Sequence, residues 1–116
     1  MTASELLAAV ARLHRIAEES RLSGSVPSDL RARWDELERA LLRGLRAEEL
    51  AAPGAADPLR ELRASRSNEL LRNLVWEISV SFELQAPRVV TMVKLAGLLR
   101  QRARSITANP WVHPAA

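Results

Sequence analysis

The stretch Ser67–Ala86, with the sequence SNELLRNLVWEISVSFELQA, decides the fold, because it is strongly apolar and fits two different structures. At a period of two, every even-numbered residue from 74 to 84 is apolar, which is the pattern of a half-buried strand. At the helical period, two opposite faces are apolar instead. The first face contains Leu71, Leu74, Val75, Ile78 and Phe82, and the second contains Trp76, Val80 and Leu84.

A helix is the better prediction for this stretch. A strand requires a turn between Asn73 and Val75, and no turn residue follows Asn73. A strand also requires a partner, and the candidate is Arg88–Val93, which would give an isolated hairpin of marginal stability. We therefore predict an all-α, four-helix bundle-like domain in which this stretch is a central apolar helix. The alternative is an α+β fold with a strand or hairpin at 74–93.

Two helices are predicted before this stretch. Thr2 and Glu5 have the spacing of a capping box, so the first helix should cover about Ala3–Arg21. Ser28 is a suitable N-cap for the second helix, which should end near Leu50. Apolar residues recur at intervals of three and four in both segments, so each helix should bury one face.

The third and fourth helices follow from the next boundary signals. Asp57 as N-cap and Pro58 in the first turn start the third helix. This helix either continues without a break through the central stretch or is interrupted at Ser65–Asn68, where short polar side chains compete for backbone hydrogen bonds. The apolar stripe at Val89–Ile106 predicts the last helix.

The composition fits one small intracellular domain. A chain of 116 residues is one domain by length, which we assign to residues 1–109, with residues 110–116 as a short C-terminal tail. Cys is absent, which excludes disulfides, thiol catalysis and Cys-ligated metals. The chain has no basic signal-peptide region and no apolar run near the ~20 residues of a membrane span. We therefore expect a cytoplasmic protein with no membrane association.

No motif for catalysis or for a cofactor is present. His14 and His113 are the only histidines, too few for a zinc site. The four glycines are scattered, so no phosphate-binding loop exists. Glu77 and Glu83 have apolar neighbours, the environment of some catalytic carboxylates, but on a helix they would point in different directions. We expect a non-enzymatic protein that needs no cofactor.

The C-terminal third of the chain is basic. The net charge is +3, and no acidic residue follows Glu83. Two groups of arginines are candidate anion contacts: Arg60, Arg63 and Arg66 form a row on one side of a helix, and Arg100 and Arg104 share a face. Acidic residues interleave with the first group, and no aromatic pattern suggests base stacking. Nucleic-acid association through the basic region is therefore the alternative functional prediction.

The second apolar face of the central helix provides the leading functional prediction. Three other helices of a small bundle are not expected to cover both of its faces, so Trp76, Val80 and Leu84 are candidate contacts with another chain. Trp111 and Val112 in the tail form a second apolar anchor of the kind that is frequent at interfaces. We predict a helical protein–protein interaction module, a small regulatory or adaptor protein that self-associates as a homodimer.

Overall fold

The computed structural model describes residues 1–22, 27–51 and 57–108. Within these ranges the chain forms four helices: α1 (Ala3–Leu22), α2 (Ser28–Ala51), α3 (Pro58–Glu83) and α4 (Val89–Ala108). The described residues contain no strand, so the all-α prediction is confirmed and the α+β alternative for residues 74–93 is wrong. The predicted tail at residues 110–116 lies outside the described residues.

The helices form a bundle in which neighbours run in opposite directions. α1 contacts α2 and α4, and α3 contacts the same two helices, so α1 and α3 occupy opposite corners. Near the start of α2, Arg33 Nη1 lies 2.6 Å from Glu19 Oε2 near the end of α1. Near the end of α4, Arg102 donates to Ser67 in the first half of α3. The result is an up-down-up-down arrangement with extents of 50 × 23 × 19 Å.

The predicted starts of α1 and α3 are confirmed by their hydrogen bonds. The Glu5 N–H donates to Thr2 Oγ1 at 3.1 Å, as expected for a capping box. Asp57 Oδ1 accepts from the backbone N–H groups of Leu59 and Arg60 at 3.2 and 3.3 Å. Both caps therefore satisfy N–H groups that have no partner within their own helix.

Two predicted details of the helices differ from the structure. Ser28 is the first residue of α2 rather than its N-cap, and the carbonyl of Pro27 accepts the first helical hydrogen bonds. A difference of one residue is common at helix ends. The possible interruption at Ser65–Asn68 is absent, because α3 continues through it. The Asn68 amide donates to Glu49 of α2 at 3.4 Å instead of competing for the backbone of α3.

The core lies between the four helices and is mainly aliphatic. The first apolar face of α3 is completely buried there. Trp34 of α2 stacks on Phe82 with ring centroids 6.2 Å apart. Its buried Nε1–H donates to Ser79 Oγ at 3.0 Å, and the Ser79 hydroxyl donates in turn to Glu38. The single polar atom of the largest core side chain is thus satisfied across the α2–α3 contact.

A tight turn joins α3 to α4. Gln85 has a positive φ of 60°, and its N–H donates to the carbonyl of Phe82 at 3.0 Å. The N–H of Ala86 donates to the carbonyl of Ser81 at 2.9 Å, which completes a Schellman motif. The Ser81 hydroxyl also accepts from the N–H of Arg88 at 3.1 Å. This network fixes the reversal of the chain at the end of α3.

Candidate functional site

The second apolar face of α3 lies on the outside of the bundle. Because the first face points into the core, residues on the opposite side of the same helix face away from the other helices. The side chains of Trp76 and Leu84 are 67% and 71% exposed, and Val80 between them is half-buried. We call these three residues the outer apolar face. Large apolar side chains that recur on one exposed face are unusual on a protein that contacts no other macromolecule.

Two exposed valines lie in the first turns of α4. Val90 is 82% exposed and Val93 is 46% exposed. The α3–α4 turn brings the start of α4 back beside the end of α3, where Leu84 lies. Sequence analysis missed these valines, since a helical stripe alone does not reveal which of its members face solvent. They are further large apolar side chains exposed near the α3–α4 turn.

The remaining predicted interface residues, Trp111 and Val112, lie outside the described residues. The described part of the chain ends at Ala108, the last residue of α4. The assignment of these two residues as an apolar anchor therefore stays a prediction.

The arginine row of α3 lies on its first three turns. Arg60, Arg63 and Arg66 are exposed, as are all residues from Pro58 to Ser67. None of the three arginines belongs to an ion pair among the described residues. The row is therefore a set of solvated cations on a helical segment that the rest of the bundle leaves uncovered.

The second pair of arginines lies at a different edge of the bundle. Arg100 faces α1, where its Nη2 lies 3.0 Å from His14 Nε2. Arg104 follows one turn later and is exposed. Since α1 and α3 occupy opposite corners, the structure does not bring Arg100 into one surface with the arginine row of α3.

A polar network that sequence analysis missed joins the helices at one end of the bundle. Arg102 of α4 donates at 2.8 Å to Asn68 Oδ1 and lies 3.6 Å from Glu48 of α2. Burial lowers the pKa of the Arg102 guanidinium, and the charge of Glu48 acts in the opposite direction. The N-terminal ammonium group of Met1 also pairs with Glu48. These contacts connect the N-terminus of the chain with α2, α3 and α4 and are structural in character.

An ion pair adjoins this network. Arg72 of α3 holds Glu49 of α2 through two hydrogen bonds, one of them 2.8 Å long from Nη1 to Oε2. The hydrogen bond from Arg72 lowers the pKa of the Glu49 carboxyl, and the same bond raises the pKa of the guanidinium. Helical periodicity could not identify these partners, because they are 23 residues apart in sequence.

Glu77 and Glu83, the two carboxylates with apolar neighbours in sequence, do not lie in one site. Glu77 is exposed on α3, and Glu83 pairs with Arg31 of α2 at the surface. Within the described ranges, no group of three or more His, Cys, Asp or Glu side chains is placed to hold a metal ion. Glu77 and Glu83 therefore do not form a carboxylate pair in the described part of the chain.

A surface groove of about 370 Å³ separates α3 from α4 beside the polar network. Leu70 and Leu98 form apolar walls, and Gln101 and Arg102 supply polar groups. Arg102 is already engaged by Asn68 and Ser67, so the groove has few uncommitted polar groups with which to orient a small ligand.

None of the described helices is both long and apolar enough to cross a membrane. Comparisons with protein-family models, with curated proteins and with solved structures find no match for this chain.

Proposed function

We propose that the chain is a helical protein–protein interaction module, a small regulatory or adaptor protein of the cytoplasm that self-associates through the outer apolar face of α3. The exposure of Trp76 carries this proposal. Tryptophan is enriched among the residues that contribute most to binding energy, and here it is followed by Val80 on the same helix and by Leu84 at the C-cap. A regular helix presents these side chains with little loss of backbone entropy on binding.

The energetic basis is the hydrophobic effect. Fully burying a large aliphatic or aromatic side chain contributes about 1.5–3 kcal/mol. Trp76 and Leu84 are mostly solvent-exposed in the single chain, so a contact that covers them gains most of this amount from each. Val90 and Val93 of α4 are also exposed apolar residues, and they follow the turn at the end of α3. Such a surface supports a moderate affinity, consistent with a reversible regulatory contact.

Sedimentation equilibrium of three proteins tests this proposal. The native chain should approach a dimer of about 26 kDa, twice its mass of 12.9 kDa. Trp76→Glu should weaken dimer formation strongly, because it places a charge within the apolar contact. Leu7→Glu is the matched control, since Leu7 is also an exposed apolar residue but lies on α1, at the opposite corner from α3. Equal dimer affinity of both variants would refute the proposed surface.

Nucleic-acid association is the second candidate function. The favouring observation is that Arg60, Arg63 and Arg66 are exposed and have no acidic partner among the described residues. If this row binds phosphates, affinity for random duplex DNA should fall steeply with salt, and Arg63→Gln should reduce the salt slope by about one. Absence of binding at low salt would remove this candidate.

A further inference from the structure

The exposed side of α3 has a nearly symmetric pattern along its length. Eight residues recur at intervals of three or four and so lie on one stripe of the helix. They are Leu59, Leu62, Arg66, Leu70, Asn73, Glu77, Val80 and Leu84. All are exposed except the half-buried Val80. We call this set the outer stripe of α3; it contains two members of the outer apolar face, and Trp76 flanks it.

The outer stripe is nearly symmetric in two properties, the apolar character of its ends and the sign of its charges. Apolar residues occupy its two ends, with Leu59 and Leu62 at the start and Val80 and Leu84 at the finish. Charges of opposite sign stand at equal distances from the middle of the stripe, at Arg66 and Glu77, while Leu70 and Asn73 occupy the centre. Reading the stripe backwards therefore exchanges apolar for apolar at its ends and positive for negative at Arg66 and Glu77, while the central Leu70 and Asn73 exchange with each other.

We propose that two copies of this chain pair along their outer stripes with the two α3 helices antiparallel. This inference rests on the proposed self-association and adds its partner helix and orientation. A two-fold axis between residues 71 and 72 places Leu59 opposite Leu84 of the second copy, and Arg66 opposite Glu77. Each of these pairings then occurs twice, because the contact is the same from both sides.

The charges of Arg66 and Glu77 favour the antiparallel orientation over the parallel one. In a parallel pair, Arg66 would face the same arginine of the second copy, and Glu77 would face the same glutamate. Like charges in register oppose association, whereas the antiparallel pair converts both positions into ion pairs. Neither Arg66 nor Glu77 has an ion-pair partner among the described residues, so both are available for such a contact.

The same pairing explains the uncovered start of α3. Residues 58–67 are helical although all of them are exposed, and Leu59 is 67% exposed there. A helical segment of this length has little stability in water without packing. In the antiparallel pair, the start of one α3 packs on the end of the other, near the exposed Val90. The second copy thus covers two apolar areas that no helix of the same chain reaches in the described structure.

Cysteine crosslinking tests the orientation directly, because the chain has no cysteine of its own. Leu59 and Leu84 are 25 residues apart, roughly 37 Å along a helix at about 1.5 Å per residue. Under mild oxidation, a mixture of Leu59→Cys and Leu84→Cys chains should form a disulfide-linked heterodimer. Each variant alone should give no disulfide dimer, since its two cysteines lie far apart. Circular dichroism should confirm that both variants fold, as both positions are exposed.

Charge reversal provides an independent readout of the same pairing. Arg66→Glu should weaken self-association about tenfold, because both copies of the ion pair become repulsive. Glu77→Arg should do the same. The double variant Arg66→Glu/Glu77→Arg should recover native affinity, since it restores both pairs with their signs exchanged. Failure of the double variant to recover would overturn the proposed register.

The outcomes separate this inference from the proposed function. A dimer in which each single cysteine variant crosslinks to itself would overturn the antiparallel orientation and leave self-association standing. A dimer that gives no crosslink in any mixture would overturn the pairing of α3 with α3. A chain that stays monomeric at high micromolar concentration would overturn both proposals.

Discussion

At the scale of single residues, Gln85 bears the most unusual backbone conformation of the described chain. It occupies the left-handed position of the Schellman motif at the end of α3, with φ of 60°. Glycine is the usual residue at this position, because a side chain costs about 1 kcal/mol in the left-handed region. The sequence alone did not mark this position, since neither Gln85 nor Ala86 is a typical turn residue.

We predict that Gln85→Gly stabilises the protein by about 0.5–1 kcal/mol. The substitution removes the strain of the left-handed conformation and keeps the two backbone hydrogen bonds of the turn. Part of the gain is offset by the greater freedom of glycine in the unfolded chain. Urea denaturation measures the difference, and Gln85→Ala serves as the control that should give no comparable gain. A decrease in stability for Gln85→Gly would contradict this account of the turn.

At the scale of elements, α3 is the helix on which both the fold and the functional proposals depend. Its second half is packed through Leu71, Ile78 and Phe82, whereas its first ten residues have no buried side chain. The stability of the two halves should therefore differ. The Asp57 cap holds the N-terminal end of the exposed half through its bonds to two backbone N–H groups.

We predict that Asp57→Ala destabilises the start of α3 and leaves the core intact. Loss of an N-cap costs a helix about 1 kcal/mol, and this segment has no packing that resists local opening. Amide hydrogen exchange in dilute protein should become faster for residues 59–66, while residues 71–82 should exchange as before. Ser28→Ala is the control, because Ser28 is the first residue of α2 and its side chain makes no hydrogen bond to another described residue. Faster exchange throughout α3 would show that its two halves are not independent.

The helix boundaries could be predicted from the sequence because the signals that determine them are local. Thr2, Asp57 and Pro58 are local signals, and local signals determine where helices begin. The choice of helix over strand for residues 74–84 followed from a missing turn and a missing partner strand. The partners of Arg102, Ser79 and Glu49 could not be predicted, because they depend on how four helices are arranged in space. The same limit applied to Val90, whose exposure depends on the α3–α4 turn.

At the scale of the whole molecule, charged contacts join helices that are distant in sequence. Arg72 lowers the pKa of the Glu49 carboxyl, so the ionised form is favoured by the folded state. A carboxyl whose pKa is lower in the folded than in the unfolded state stabilises the fold above its unfolded pKa. That contribution is lost as the pH falls through the folded pKa.

We predict that the stability of the native chain falls on acidification partly through Glu49. Between about pH 7 and about pH 3, the melting temperature of Glu49→Gln should decrease less than that of the native chain. The effect should be small, because the pair is at the surface and solvent screens it. Glu69→Gln is the control, since Glu69 is exposed on α3 and joins no ion pair of the described residues. Parallel pH profiles of the native and Glu49→Gln proteins would contradict the assignment.

The central claim is that the exposed side of α3 is covered by a second copy, and hydrogen exchange of the native protein at several concentrations tests it most directly. We predict that residues 58–67 and 76–84 become protected together as concentration rises, because an antiparallel pair covers both ends of α3 at once. Residues around Leu7 on α1 should show no change. Exchange that is independent of concentration, or protection confined to helices other than α3, would contradict the claim.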